Sequence, residues 1–137
     1  MNIRYPATVT RQDGGYFVQF VDLDDTFTEG ESVEEALFNA SEVLSAMLDW
    51  HVEQGHAIPV PSQGLKKVRY VAPDAKTQAA LLVRQARGER PMSEVARAMQ
   101  TSWPAAQRLE SPRHSPSLKQ LERAASALGK RLVLSFE

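Results

Sequence analysis

Cysteine is absent from the 137 residues. That excludes disulfides, thiolate metal sites and cysteine nucleophiles. Long apolar runs are missing too: no stretch approaches the roughly 20 residues that span a bilayer, and no apolar segment follows a basic start. A cytoplasmic protein without a membrane partner is expected. Histidine is scarce, and His51 and His56 stand five apart, which misses the i, i+4 pairing of a zinc-binding helix. No serine lies in a nucleophile-elbow pattern, and no glycine-rich loop is placed to cradle phosphate. No constellation is left that would run a reaction. The chain reads as a non-enzyme, with no cofactor, no catalytic residues and no metal site.

Net charge is also low, −1 overall, but unevenly spread. Residues 1–70 carry 5 Lys/Arg against 11 Asp/Glu, a net of −6, and residues 71–137 carry 11 against 6, a net of +5. An acidic front suits a basic protein partner, and a basic back suits phosphate. The 42% hydrophobic content supplies a core for one domain or two small ones.

What is present organises itself around Met92 to Leu128. Val95, Ala96 and Met99 give a short helix an apolar face. Gln100-Thr101-Ser102 interrupts it, and Ser102 is a good N-cap for the next helix. Pro104 falls in that helix's first turn, where a missing N–H costs little. Ala105, Ala106 and Leu109 continue the buried face. Ser117 caps a third helix with Leu118, Leu121, Ala124, Ala125 and Leu128 inward, and Gly129 ends it. A helix, a three-residue turn and a second helix bearing a lone arginine is the plan of a helix-turn-helix DNA reader.

The front half alternates. Ile3, Tyr5, Ala7 and Val9 predict a half-buried strand, and Pro6 predicts that it is an edge. Gln12-Asp13-Gly14-Gly15 is a turn, and Tyr16 to Val21 is the returning strand, with Tyr16, Val18 and Phe20 on one face. Thr26 to Thr28 reads as a short third strand. Ser32 and Glu35 form a capping box for a long helix with Val33, Leu37, Ala40, Leu44, Met47 and Leu48 inward, ending near Gly55. Lys66 to Val71 reads as a fourth strand. A helix follows from Asp74 to about Arg87, and Arg131 to Phe136 reads as a final strand that needs a second copy to pair with. The expected class is α+β: a small antiparallel sheet with one long helix over residues 1–72, then an all-α domain over 73–137 with a C-terminal strand.

The Met92–Leu128 segment resembles Cro/repressor helix-turn-helix proteins through Val95-Ala96, the stretch Thr101 to Glu110, Pro116-Ser117-Leu118 and Ala127-Leu128-Gly129. Polar residues often open that family's recognition helix; here Trp103 and Pro104 do. The front half resembles the HicB antitoxin family. The residues that carry this are Tyr16 to Leu23, Phe27 to Leu37 and the proline-rich Ile58-Pro59-Val60-Pro61. The family's loop usually has Pro-Gly after Asp-Leu; Asp24-Asp25 stands here. The resemblance implies a degenerate ribonuclease-H-like N-terminal domain that masks HicA, a small basic mRNA-cleaving toxin. It implies a C-terminal domain that binds the operator of its own operon as a homodimer, with higher even-numbered oligomers also compatible. The alternative is a one-component repressor whose N-terminal domain senses a ligand.

On this reading Gln107 and Arg108 are the candidate base readers, since arginine offers a fork to guanine. Ser102, Arg113 and His114 are candidate backbone contacts. Trp103 belongs to the same DNA-binding set, with its ring expected to pack under the turn. Lys119 and Arg123 are expected to be solvated helix charges. Asp22, Asp24 and Asp25 could bind Mg²⁺, but strand neighbours alternate faces; they are read instead as an acidic loop facing the toxin. Phe27 beside them is an interface anchor or plain core, with core favoured.

Overall fold

In the computed structural model, which describes residues 2–137, the alternation after Ile3 becomes strand β1 (Tyr5–Gln12). Asp13 and Gly14 both take positive φ and return the chain as β2 (Gly15–Phe20). A primed two-residue turn of this kind matches the twist of its strands. β3 (Phe27–Gly30) follows, then the helix α1 (Val33–Glu53), then β4 (Arg69–Val71). The sheet is antiparallel with order β3-β2-β1-β4.

β1 is therefore an interior strand, not the edge that Pro6 predicted. The two polar groups of one strand residue point to the same side in an antiparallel ladder. The Pro6 carbonyl accepts from Val21 N–H at 3.0 Å, so its missing N–H also faces the β2 side. There β2 has already ended at Phe20, and no ladder bond is lost.

α1 begins because Ser32 Oγ accepts the Glu35 N–H and two acidic residues sit in its first turn. It stops at Gly55, whose positive φ lets His56 N–H reach His51 carbonyl at 3.0 Å. Tyr5, Ala7, Val18 and Phe20 of the sheet and Ala36, Ala40, Leu44 and Leu48 of α1 form the core. Each fully buried leucine contributes about 2 kcal/mol. Val33, Leu37 and Met47 are only half-buried. Gly30 is required by packing: a Cβ there would stand 2.4 Å from Ala36 N and 2.8 Å from its Cα. The connection from α1 to β4 is strapped by side chains. Tyr5 donates to Pro59 carbonyl at 2.6 Å and Tyr70 to Ser62 carbonyl at 2.8 Å; just past β4, Ala72 carbonyl accepts from Ser41 of α1 at 2.7 Å.

The chain divides into two compact units, Met1–Ala75 and Lys76–Glu137. The second is helical: α2 (Ala75–Arg87), α3 (Met92–Ala98), α4 (Trp103–Arg108) and α5 (Leu118–Ala127). Val83, Val95, Met99, Leu109, Ala124 and Leu128 make its core. Ser117 and Gln120 form a reciprocal capping box on α5, and Lys130 N–H closes its end on Ala125 carbonyl at 2.7 Å. Leu118, expected inward, is exposed at the first position of α5, where the chain has only just entered the helix. The C-terminal strand is not formed. Residues 130–137 carry no regular structure, and Val133, Leu134 and Phe136 are exposed. A strand needs a neighbour for its N–H and C=O groups, and the single chain provides none.

Candidate protein- and DNA-binding surfaces

α3 ends in a tight reversal. Gln100 adopts φ 54, and Thr101 N–H bonds Ala96 carbonyl at 3.0 Å, a helix stop normally made by glycine. Arg123 of α5 donates to Met99 carbonyl at 2.6 Å, which satisfies an orphan acceptor at that end. It is thus a positioning group, not the merely solvated charge expected from sequence. Ser102 Oγ then accepts Ala105 N–H at 3.2 Å and starts α4.

Ala106 and Leu109 face the core, so the other side of α4 faces solvent. Trp103, Pro104, Gln107 and Arg108 are all exposed there, with Gln107 one turn beyond Trp103 and Arg108 one turn beyond Pro104. Trp103 is 47% exposed and does not tuck under the turn as expected; it opens α4, whose core-facing side is carried by Ala106 and Leu109. Arg113 is exposed in the following loop, and His114 is half-buried, its N–H bonded to Ser111 carbonyl at 3.1 Å.

α4 is held at its far end by Glu110. This carboxylate is 7% exposed and takes a two-pronged bond from Arg87 of α2, through Nε to one oxygen and Nη2 to the other at 3.0 Å. That hydrogen bond raises the arginine's pKa above its ordinary value, against the opposing effect of burial, with the carboxylate charge adding to the rise. Nothing local in the sequence marks this pair.

In the first unit the three aspartates separate. Asp22 is engaged: its two oxygens accept Ser62 N–H at 2.8 Å and Ser62 Oγ at 2.7 Å. It anchors the proline-rich segment. Its charge, after burial, is the second cause that pushes the Tyr5 phenol up to about 12. Asp24 and Asp25 are exposed, and Asp25 takes φ 51. Thr26, fully buried, locks the loop through Asp24 carbonyl at 2.9 Å.

Phe27 is 52% exposed, which corrects the expectation of core. It opposes Gln19 on the sheet face away from α1, beside Phe17 with ring centres 5.7 Å apart. Val21 is exposed beyond them, and Glu29 pairs opposite Phe17. The result is an aromatic pair with Glu29 across from Phe17, and exposed Asp24 and Asp25 precede Phe27 in the chain. Phe17, Val21 and Glu29 were not singled out from sequence, although period-two alternation already set Phe17 opposite to Tyr16 and Val18.

At the end of α1 the Nδ1 atoms of His51 and His56 lie 3.2 Å apart, with Trp50 edge-on to both rings. Burial, then the neighbouring imidazole, lowers the His51 pKa below its ordinary value. Among the described residues no group of three or more His, Asp or Glu is placed to hold a metal ion, and no helix is long and apolar enough to cross a membrane.

Comparison with known proteins sets the chain among the antitoxins of toxin–antitoxin systems. Residues 4–73 match the family model described as HicB-like antitoxin of bacterial toxin-antitoxin system. The chain is 32% identical over 135 residues to Antitoxin HicB of Escherichia coli (strain K12), covering 96% of this chain and 98% of that one. It is 32% identical over 139 residues to Antitoxin HicB 1 of Photorhabdus laumondii, covering 99% and 88%. Antitoxin HicB 2 of the same organism is 31% identical over 133 residues, covering 97% and 96%. The chain belongs to the HicB-like antitoxin family.

Proposed function

We propose that the N-terminal unit binds and masks a small basic HicA-like mRNA-cleaving toxin. The C-terminal unit, as a homodimer, represses the chain's own operon by sequence-specific DNA binding, with α4 as the recognition helix of a helix-turn-helix. The observation that carries this reading is the shared exposure of Gln107 and Arg108 on one face of α4, in a chain whose relatives are antitoxins.

The toxin surface is the Phe17–Phe27 pair with Asp24, Asp25 and Glu29. The carboxylates speed and orient the encounter with a cationic protein, and a desolvated aromatic anchor supplies affinity. Asp22 holds the loop's base through Ser62 rather than meeting the toxin head-on. On the DNA side Gln107 and Arg108 read base edges, while Ser102, Trp103, Arg113 and His114 meet the rim of the groove. Two copies pair through residues 131–136, giving Val133, Leu134 and Phe136 the cover they lack in one chain. Paired readers address half-sites about 34 Å apart, and their linkage raises the effective concentration of the second to about millimolar.

Two measurements test this together. A gel-shift assay on DNA upstream of the gene should show a saturable complex that unrelated DNA does not compete away. Affinity purification from the native host should recover a small basic protein in near-equal amount. Absence of both would overturn the proposal.

A further inference from the structure

The N-terminal unit is acidic, yet three of the five Lys/Arg among residues 1–70 line one cavity. This open hollow of about 460 Å³ is bounded by Arg11, Lys67 and Arg69, with Tyr16 and the apolar side chains of Val9, Val33 and Val68. No carboxylate lines it. Among the described residues, none of the three cations takes part in a salt bridge.

The cavity has a clear structural origin. β4 pairs with β1 only from Tyr5↔Val71 to Ala7↔Arg69, while β1 runs on to Gln12. Beyond Ala7 the β4 side of β1 is uncovered. The chain swings away there through Lys67, which takes φ 61, a conformation rare for a long side chain. Arg11 stands opposite Tyr16 and Val9 opposite buried Val18, so both lie on the α1 side of the sheet. Val33 opens α1 and closes the hollow on the helix side.

Three cations around one hollow with no carboxylate among them favour an anion over a cation or a neutral ligand. The unit's overall charge repels anions, so attraction here must be local, short-range and selective. The valines and the tyrosine ring would be poorly used by a bare inorganic ion, and the volume falls in the range of small-molecule sites. From this we propose that the cavity binds a small organic anion, a carboxylate or phosphate monoester carried on a ring or short chain. Arg11, Lys67 and Arg69 hold the charged group, and the valines and Tyr16 hold the body. This site is separate from the Phe17–Phe27 surface on the other sheet face, and it does not depend on toxin or DNA binding.

The test is titration calorimetry on the full-length chain with four probes: phenyl phosphate, benzoate, inorganic phosphate and benzamide. At least one of the first two should bind 1:1, and the tighter one identifies the source of the charge. Benzamide and inorganic phosphate should each bind at least tenfold more weakly. Arg11→Gln and Arg69→Gln should each weaken the better anion at least tenfold. Lys67→Gly should weaken it too while raising Tm, because glycine relieves the left-handed backbone; that separates loss of the site from loss of the fold. Benzamide binding as well as benzoate, inorganic phosphate matching phenyl phosphate, substitutions without effect, or no anion bound at millimolar concentration would each overturn the proposal.

Discussion

The Arg87–Glu110 pair fixes where α4 ends, and the two partners differ in a way that can be measured. Glu110 is 7% exposed, while the Arg87 side chain is 23% exposed and also donates to Arg90 carbonyl at 2.9 Å. Arg87→Ala strands a buried carboxylate, which costs about 3 kcal/mol. Glu110→Ala leaves a guanidinium that still reaches water and the Arg90 carbonyl, and costs about 1.5 kcal/mol. The double variant removes the pair without an uncompensated charge and should cost about 2 kcal/mol, so the coupling exceeds 2 kcal/mol. Each unit holds one tryptophan, Trp50 and Trp103. Urea unfolding followed by Trp103 emission in a Trp50→Phe background therefore reads the C-terminal unit alone. With a slope of about 1 kcal/mol/M, the midpoint should fall by about 3 M for Arg87→Ala and about 1.5 M for Glu110→Ala. Strictly additive single effects, or a larger loss for Glu110→Ala, would mean that the buried carboxylate does not depend on Arg87.

Three more outcomes are expected. Gln100→Gly removes the left-handed strain at the end of α3 and should stabilise the C-terminal unit by about 0.5–1 kcal/mol on the same Trp103 readout; a destabilised variant would contradict the strain. Gly30→Ala drives a Cβ into the Ala36 backbone and should cost the N-terminal unit at least about 2 kcal/mol by Trp50 emission, with a near-neutral effect counting against the close approach. The Tyr5 phenol, held near 12 against an unfolded value of about 10, keeps its proton longer when folded. Its contribution to stability is full below pH 10 and is lost as pH rises from 10 through 12, by about 2–3 kcal/mol. Tyr5→Phe should remove that alkaline slope and the latest step of the 295-nm titration; an unchanged titration would refute it.

The features legible in the sequence are those whose cause lies within a few residues. Ser32, Ser102 and Ser117 cap helices through N–H groups three residues on, and Asp13-Gly14 turns a hairpin by its own backbone. The features that escaped depend on distant neighbours. Asp22 reads as a free acid until Ser62, 40 residues later, closes on it. Pro6 reads as an edge until β4 arrives beside it. Arg123 reads as a solvated charge until the Met99 carbonyl comes to meet it, and nothing near Glu110 announces Arg87, 23 residues earlier. Phe27 reads as core because aromatics usually are, yet the loop's buried anchor is Thr26, one residue earlier. Residues 131–136 alternate like a strand, and the pattern carries no information on whether a partner is in the same chain.

On the proposed function, two oppositely charged surfaces on one chain serve two different partners. The most direct measurement is paired binding of two variants, Arg108→Ala and the double change Asp24→Asn with Asp25→Asn, to operator DNA and to the purified toxin. Arg108→Ala should lose about 1–3 kcal/mol toward DNA and keep toxin affinity within twofold. The aspartate variant should bind toxin with a slower association rate that depends less on salt, and bind DNA as the unaltered chain does. Loss of both affinities together in either variant would mean that the two surfaces are not separate.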